Sequence, residues 1–244
     1  PSNGFQILAG NTVTIKNGTL NVDASAKDKF YILVQNYADL TVTDMTLDGT
    51  NLDKWSATDG DSYVLSNNSG TVLVNGKTSI TANDEGNLAV AFDVCKYQNY
   101  PVPTVYINTT GTITGKIEVT KEIKDNLNIS NGTFTYPIDP EWCSEGYIPV
   151  NYGNGTYGVK LGAYVAEVNG VKYETLADAV NAAEDGDVVI LLGNDTDAGV
   201  VIDKSITIDL DGHTYTFNKG VGSTGTPSNG FQILAGNTVT IKNG

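Results

Sequence analysis

The first eighteen residues of the chain, PSNGFQILAGNTVTIKNG, return without a substitution as residues 227–244. Residue 227 restarts residue 1, an offset of 226. Chance does not produce such a match, and two identical segments so far apart in one fold have no reason to agree. Self-similarity is therefore the first constraint on the architecture. Two readings are open. The natural protein is a tandem array of period 226, of which the chain holds one period and an overlap, or the overlap was added artificially. On the tandem reading the natural unit begins near Tyr164, runs to Gly244 and continues through the equivalent of Thr19 to about Gly162.

Shorter repeats are nested inside the period. VTIKNGTLNV from Val13, LTVTDMTLDG from Leu40, VLVNGKTSITA from Val72, VYINTTGTITG from Val105, LNISNGTFTY from Leu127 and ITIDLDGHTYTF from Ile206 each set alternating apolar residues around a turn. A further short strand precedes most of them, as in FQILA, FYILVQ, YVLSN, LAVAFDV and GVVID. The starts at Phe5, Phe30, Tyr63 and Leu88 are 25, 33 and 25 residues apart. Alternation turns one side of each strand inward. One such coil cannot bury its apolar row alone, but stacked coils bury it continuously. The pattern predicts an all-β chain folded as a right-handed parallel β-helix, a solenoid with about three strands per coil. A sandwich of hairpins is the competing all-β reading; it requires two-residue turns throughout, and the coil-length recurrence fits it less well. Expected core residues are Ile15, Val42, Ile107, Ile129 and Ile208.

Two segments depart from this pattern. Thr175–Glu184 carries Leu176, Ala179, Val180 and Ala183 on one helical face, with Thr175 as N-cap, Asp178 in the first turn and Gly186 as terminator. A bare solenoid end exposes apolar rungs and unpaired strand edges; a short helix presenting Leu176 and Val180 inward would cap it. Tyr147–Leu161 places two alternating strands around Asn-Gly, a hairpin signal. The expected organisation is 1–146, the later coils of one β-helix; 147–162, a hairpin spacer; and 163–244, the helical cap and first coils of the next β-helix.

The stretch AYVAEVNGVKYETLADAVNAAEDGDVVILLGNDT, followed by IDKSITIDLDGHTYTF, resembles the opening of β-helical repeat domains in large surface proteins of Gram-positive gut-type bacteria. ISNGTFTYPIDPEWCSEGYIPVNYGNGTYGVKLG resembles their closing segment. The resemblance covers about 90 of the 244 residues and belongs to the wider pectate-lyase-like superfamily. It implies secretion and cell-surface display. It supplies no catalytic residue, since that fold hosts enzymes, adhesins and passive stalks alike.

Composition narrows the function. The formal charge is −14, and the 14 basic residues are all Lys, so a polyanion or an anionic membrane surface would be repelled. No apolar run approaches a membrane span. No leader is visible at Pro1, as expected of a fragment or a mature segment. Two Cys and one His cannot build a closed zinc site; Cys95 and Cys143 are either two unpaired small residues or a disulfide. Pectate-lyase-type elimination typically uses an Arg base with calcium, and the chain has no Arg. Galacturonan hydrolases use clustered Asp on neighbouring coils. Asp44, Asp48, Asp209 and Asp211 sit at comparable turns, but local bonding to the backbone explains them equally well. His213 lies in a turn with no nucleophile elbow to serve. Asp59–Asp61, Asp185–Asp187 and Asn194–Asp197 match no calcium loop. The Asn-x-Ser/Thr sites at Asn17, Asn67, Asn108, Asn128, Asn131, Asn154 and Asn194 read as tight turns. The longer loops hold Trp55, Tyr97 and Tyr100, aromatics able to stack on sugar rings or to pack on the wall. The expectation is a non-enzymatic structural module of an elongated extracellular filament, without cofactor or metal, whose partners are neighbouring copies of itself. An adhesin or glycan-binding module, with surface glycans or host proteins as partners, is the alternative; a polysaccharide lyase or hydrolase is the remote one.

Overall fold

A computed structural model describes residues 3–54, 62–83, 89–222 and 228–244, the side chain of Ala89 excepted. The chain is an all-β protein with one short α-helix and divides into two compact units, Pro1–Leu161 and Gly162–Gly244.

In the first unit successive strands alternate between two sheets. β1 (Asn3–Ile7), β3 (Ile32–Asn36), β5 (Ser62–Asn67), β8 (Ala89–Val94) and β10 (Lys116–Val119) form one sheet in that order. β2 (Thr12–Asn21), β4 (Asp39–Asp48), β6 (Thr71–Gly76), β9 (Thr104–Thr114) and β11 (Leu127–Phe134) form the other, with β7 (Ser79–Thr81) paired to β4 and β9. All these pairs are parallel. The register stacks apolar residues into continuous inward rows: Val34–Leu65–Phe92–Ile117 in the first sheet, where Phe5 follows in register but is 50% exposed, and Ile15–Val42–Val74–Ile107–Ile129 and Leu20–Leu47–Ile80–Ile113–Phe134 in the second. Val42, Ile107 and Ile129 are buried as expected. Ile15 is only half-buried, because β2 is an edge strand with a neighbour on one side alone.

The second sheet bends where Asn17 (φ 58°), Asp44 (φ 52°) and Gly76 (φ 64°) stack in the left-handed region. Asn and Asp tolerate that conformation and Gly adopts it freely. Gly76 is required for a second reason. A Cβ there would lie 2.4 Å from Asp44 Oδ1, the atom that accepts the Lys77 N–H at 2.8 Å.

The hairpin of β12 (Tyr147–Asn151) and β13 (Tyr157–Leu161) does not stand apart as a spacer. β13 pairs antiparallel with β11 through Phe134 and Tyr157, so the hairpin extends the second sheet and belongs to the first unit.

The second unit opens with β14 (Ala166–Val168) and β15 (Val171–Tyr173), then α1 (Leu176–Ala182). After these come β16 (Val188–Leu191), β17 (Asp195–Ala198), β18 (Val200–Ile202), β19 (Thr207–Asp209), β20 (Tyr215–Lys219), β21 (Phe231–Ile233) and β22 (Thr240–Lys242). β14 is antiparallel to β15 and β16; β16–β19–β22, β17–β20 and β18–β21 are parallel. Thr175 caps α1 through its Oγ1, which accepts the Asp178 N–H at 3.0 Å and donates to Asp178 Oδ2 at 2.7 Å. Leu176, Ala179 and Val180 are fully buried against Ala166, Val168, Val200, Ile202 and Ile208. The helix ends sooner than its periodicity predicts. Ala183 is already extended (ψ 154°), and Gly186 (φ 93°) serves the turn before β16 rather than the helix terminus.

Candidate functional site

Two places on the first unit gather chemistry-bearing side chains. At one, β8 and β10 set Asp93 and Glu118 side by side in register, beside Ser66 of β5. Asp93 is buried; its Oδ1 accepts the Asn67 N–H at 2.6 Å, and Ser66 Oγ lies 3.4 Å from Oδ2. Burial pushes its carboxyl up to about 7, against the Asn67 hydrogen bond and with the Glu118 charge. Glu118 is held by Lys116 and accepts the Tyr63 hydroxyl at 3.3 Å. A cavity of about 460 Å³ lies over these groups, lined also by Cys95 and Trp142. Such a group can hold or release one proton near neutral pH.

At the other, Tyr37 follows β3, and its ring lies 5.9 Å from Tyr97 and 4.8 Å from Tyr100. Burial, then the neighbouring tyrosines, raises the Tyr37 hydroxyl above its ordinary value. Tyr100 is 40% exposed and Tyr97 half-buried. A second cavity of about 440 Å³ runs beside Tyr37 along the turns at Gly10, Ala38 and Gly70, walled by Val102. Tyr97 and Tyr100, singled out from the sequence as aromatics of one loop, lie beside a third ring, Tyr37, that it did not single out. Trp55 and Asp59–Asp61 lie outside the described residues.

No disulfide joins Cys95 and Cys143; both thiols are free and half-buried. The two residues extend different sheets. Cys95 donates its N–H to Asn67 O after β8, while Cys143 bridges Ile129 of β11. Burial raises both thiols, Cys143 to about 11, with Asp93 adding to the effect at Cys95 and Asp139 at Cys143.

The turn carboxylates are engaged locally. Asp44 binds Lys77 N, Asp48 binds Thr50 N at 3.0 Å, and Asp209 accepts from Asp211 N and Asn243 Nδ2, each at 3.0 Å, and pairs with Lys242. Asp185 and Asp187 accept the N–H groups of Ser205 and Glu184 at 2.7 and 2.8 Å. Asp44 and Asp48 belong to the first unit, Asp209 and Asp211 to the second, so neither unit holds all four of the turn carboxylates singled out in the sequence. His213 is half-buried in the turn after β19, its N–H bonded to Leu210 O at 2.7 Å. Among the described residues no cluster of three metal-ligating side chains occurs, and no helix is long and apolar enough to cross a membrane.

Sequence reasoning missed Asp93 and the buried Asn36, and read as a tight turn Asn67, which is the fully buried last residue of β5. The signals were there: Asp93 interrupts the apolar run VAFDV, and Val-Gln-Asn and Leu-Ser-Asn recur at the ends of β3 and β5. Asn36 and Asn67 are register partners; Asn36 donates to Ala38 O and Ser69 O at 2.9 and 3.2 Å, and Asn67 to Asp93 O at 2.8 Å.

No protein-family model, curated protein or solved structure matches the chain.

Proposed function

We propose that the chain is a structural repeat module of an elongated extracellular or cell-surface protein of a bacterium, built as a right-handed parallel β-helix and working without catalysis. The observation that carries the reading is the identical segment at residues 1–18 and 227–244, which forms edge strands of parallel sheets in both units. The alternation of parallel strands between two sheets fits a coil, and the handedness follows from the preference of parallel crossovers. A stalk gains reach from identical copies, each stacked coil adding one strand spacing of about 4.8 Å. Engagement of the turn carboxylates in local bonds supports a scaffold role over hydrolysis.

The test is a polypeptide carrying one, two and three 226-residue periods, imaged by electron microscopy. Contour length rising in equal steps is the expected result, and a compact particle of growing diameter overturns it.

The cluster of the half-buried Tyr37 and Tyr97 with the exposed Tyr100 favours a second reading, a glycan-binding module using aromatic stacking. Retention of the chain on a glycan array, lost in Tyr100→Ala, would support it. Equal, background-level signals for both chains would count against it.

A further inference from the structure

Within the first unit, the first sheet stops before the second does. Its last member, β10, has β8 on one side and no strand on the other among the described residues, whereas the second sheet goes on from β11 to β13 and β12. The chain that follows β11 does not return to fill this place. Residues 135–142 carry Pro137 and Pro140, and a proline has no N–H to give to a ladder. Ile138 and Trp142 of this stretch pack on the core, and Cys143 then rejoins β11.

One bond fixes the direction of the free backbone groups. Thr120 donates its N–H to Val94 O at 3.0 Å, towards β8. Successive residues of a strand turn their N–H and C=O groups to opposite sides. Glu118 therefore shares the side of Thr120, and Ile117 and Val119 turn theirs to the open edge. The cavity of about 460 Å³ follows this edge, since every residue from Lys116 to Thr120 lines it. Trp142 lines it too, and among the described residues its buried Nε1 has no hydrogen-bond partner. A buried N–H without an acceptor is uncommon. The carbonyl of a strand laid beside β10 would supply one.

The side chains give the edge a preference. Ile117 is buried and Val119 packs on the core, so both present an apolar border. Between them Glu118 continues the register row Gln35–Ser66–Asp93. Lys116 is the one cation lining the cavity against the two carboxyl groups of Asp93 and Glu118, in a chain of formal charge −14.

We propose that the β10 edge is a binding site for an extended peptide segment of another protein, which adds a strand to the first sheet and sets a basic side chain, flanked by apolar ones, opposite Glu118. Backbone bonds to Ile117 and Val119 give the affinity and the alternating side chains the selectivity. Charge favours a basic partner over a second copy of this acidic chain. The site needs only the first sheet and is independent of the repeat-module reading.

The test uses the full chain with Trp55→Phe, which leaves Trp142 as its single tryptophan. The probe is the peptide acetyl-Thr-Val-Lys-Val-Thr-amide. A saturable change in Trp142 fluorescence is expected, with slower hydrogen exchange at the Ile117 and Val119 amides and none of that slowing at Glu118. The same peptide with Glu for Lys should bind about tenfold more weakly, and a fully backbone N-methylated one should not bind. Val119→Pro removes an N–H that the sheet itself does not use, as edge strands tolerate. It should melt like the parent and lose the peptide; if it fails to fold, the exchange and N-methylated-peptide results decide. Unchanged exchange at Ile117 and Val119 under excess peptide overturns the site, as does parental binding by a folded Val119→Pro. Protection of these two amides equal to that of Glu118 in the free chain would also overturn it. Protection that rises with protein concentration alone would assign the edge to a second copy and overturn the basic partner.

Discussion

Among the described residues, Asp93 is the one carboxylate whose burial has a large electrostatic consequence. Its folded-state value of about 7 lies above the ordinary carboxyl value of 3.8. The folded state then binds a proton that the unfolded state has lost across that interval, and stability falls as pH rises from about 4 to about 7. Asp93→Asn keeps an oxygen for the Asn67 N–H and cannot ionise. At pH 8 the variant should be more stable than the parent by at most ~4 kcal/mol, with little difference near pH 4. Thermal melts across that range check it, and an unchanged pH profile would contradict it. Asn36 and Asp93 were hidden in the sequence for one reason: a polar residue in a short apolar strand reads as an outward position until its hydrogen-bond partners on neighbouring strands are known. Glycine offers a sharper contrast. Gly76→Ala places a methyl group 2.4 Å from Asp44 Oδ1, whereas Gly146, also at positive φ (77°), has open space around it. Gly146→Ala should cost only the backbone preference, about 1–2 kcal/mol, and Gly76→Ala visibly more, as read from denaturant midpoints. The cysteines give a simpler outcome: thiol titration of the unfolded chain should return both Cys95 and Cys143 as free thiols, in keeping with their unbonded state.

Among the elements, α1 is the most legible, because its spacing, cap and apolar face agree at every level. Only its end was misjudged, since Asn181 and Ala182 are followed by an extended residue whose geometry is set by the approach to β16. The main strands were legible through alternation, and their partners through the recurrence of coil-length spacing. The half-burial of Ile15 was not, because periodicity reports which face is inward and says nothing about whether a neighbouring strand covers it. The joining of β13 to β11 was likewise invisible: Asn-Gly announces a hairpin but not the sheet it will extend. Val180 is fully buried against the core of the second unit. Val180→Asp puts an unpaired carboxylate there and should destabilise that unit by about 3–5 kcal/mol. Loss of its thermal transition is the readout, and an unchanged melt would mean that the helix is not part of the fold's closure.

At the scale of the whole molecule, the two units carry the two sides of one segment, and the order of the chain separates them. A polypeptide running Gly162–Gly244 and then Thr19–Leu161 contains one period and a single copy of the eighteen residues. In it the row of Ile208 and Ile241 continues directly into Val42, because Ile241 and Ile15 are the same position. Ile233 and Ile241, 47% and 45% exposed at present, acquire the neighbours that Ile7 and Ile15 have. Each gains up to about 1–2 kcal/mol from the added burial, and no open strand edge remains at the segment. The permuted chain should therefore melt in one cooperative transition, above both transitions of the 244-residue order. Amides of residues 231–242 should exchange with solvent more slowly, because both faces of their strands are now paired. Calorimetry and hydrogen exchange measure the two effects. Two independent transitions at unchanged temperatures would show that the segment does not join the units, whatever its conformation in each.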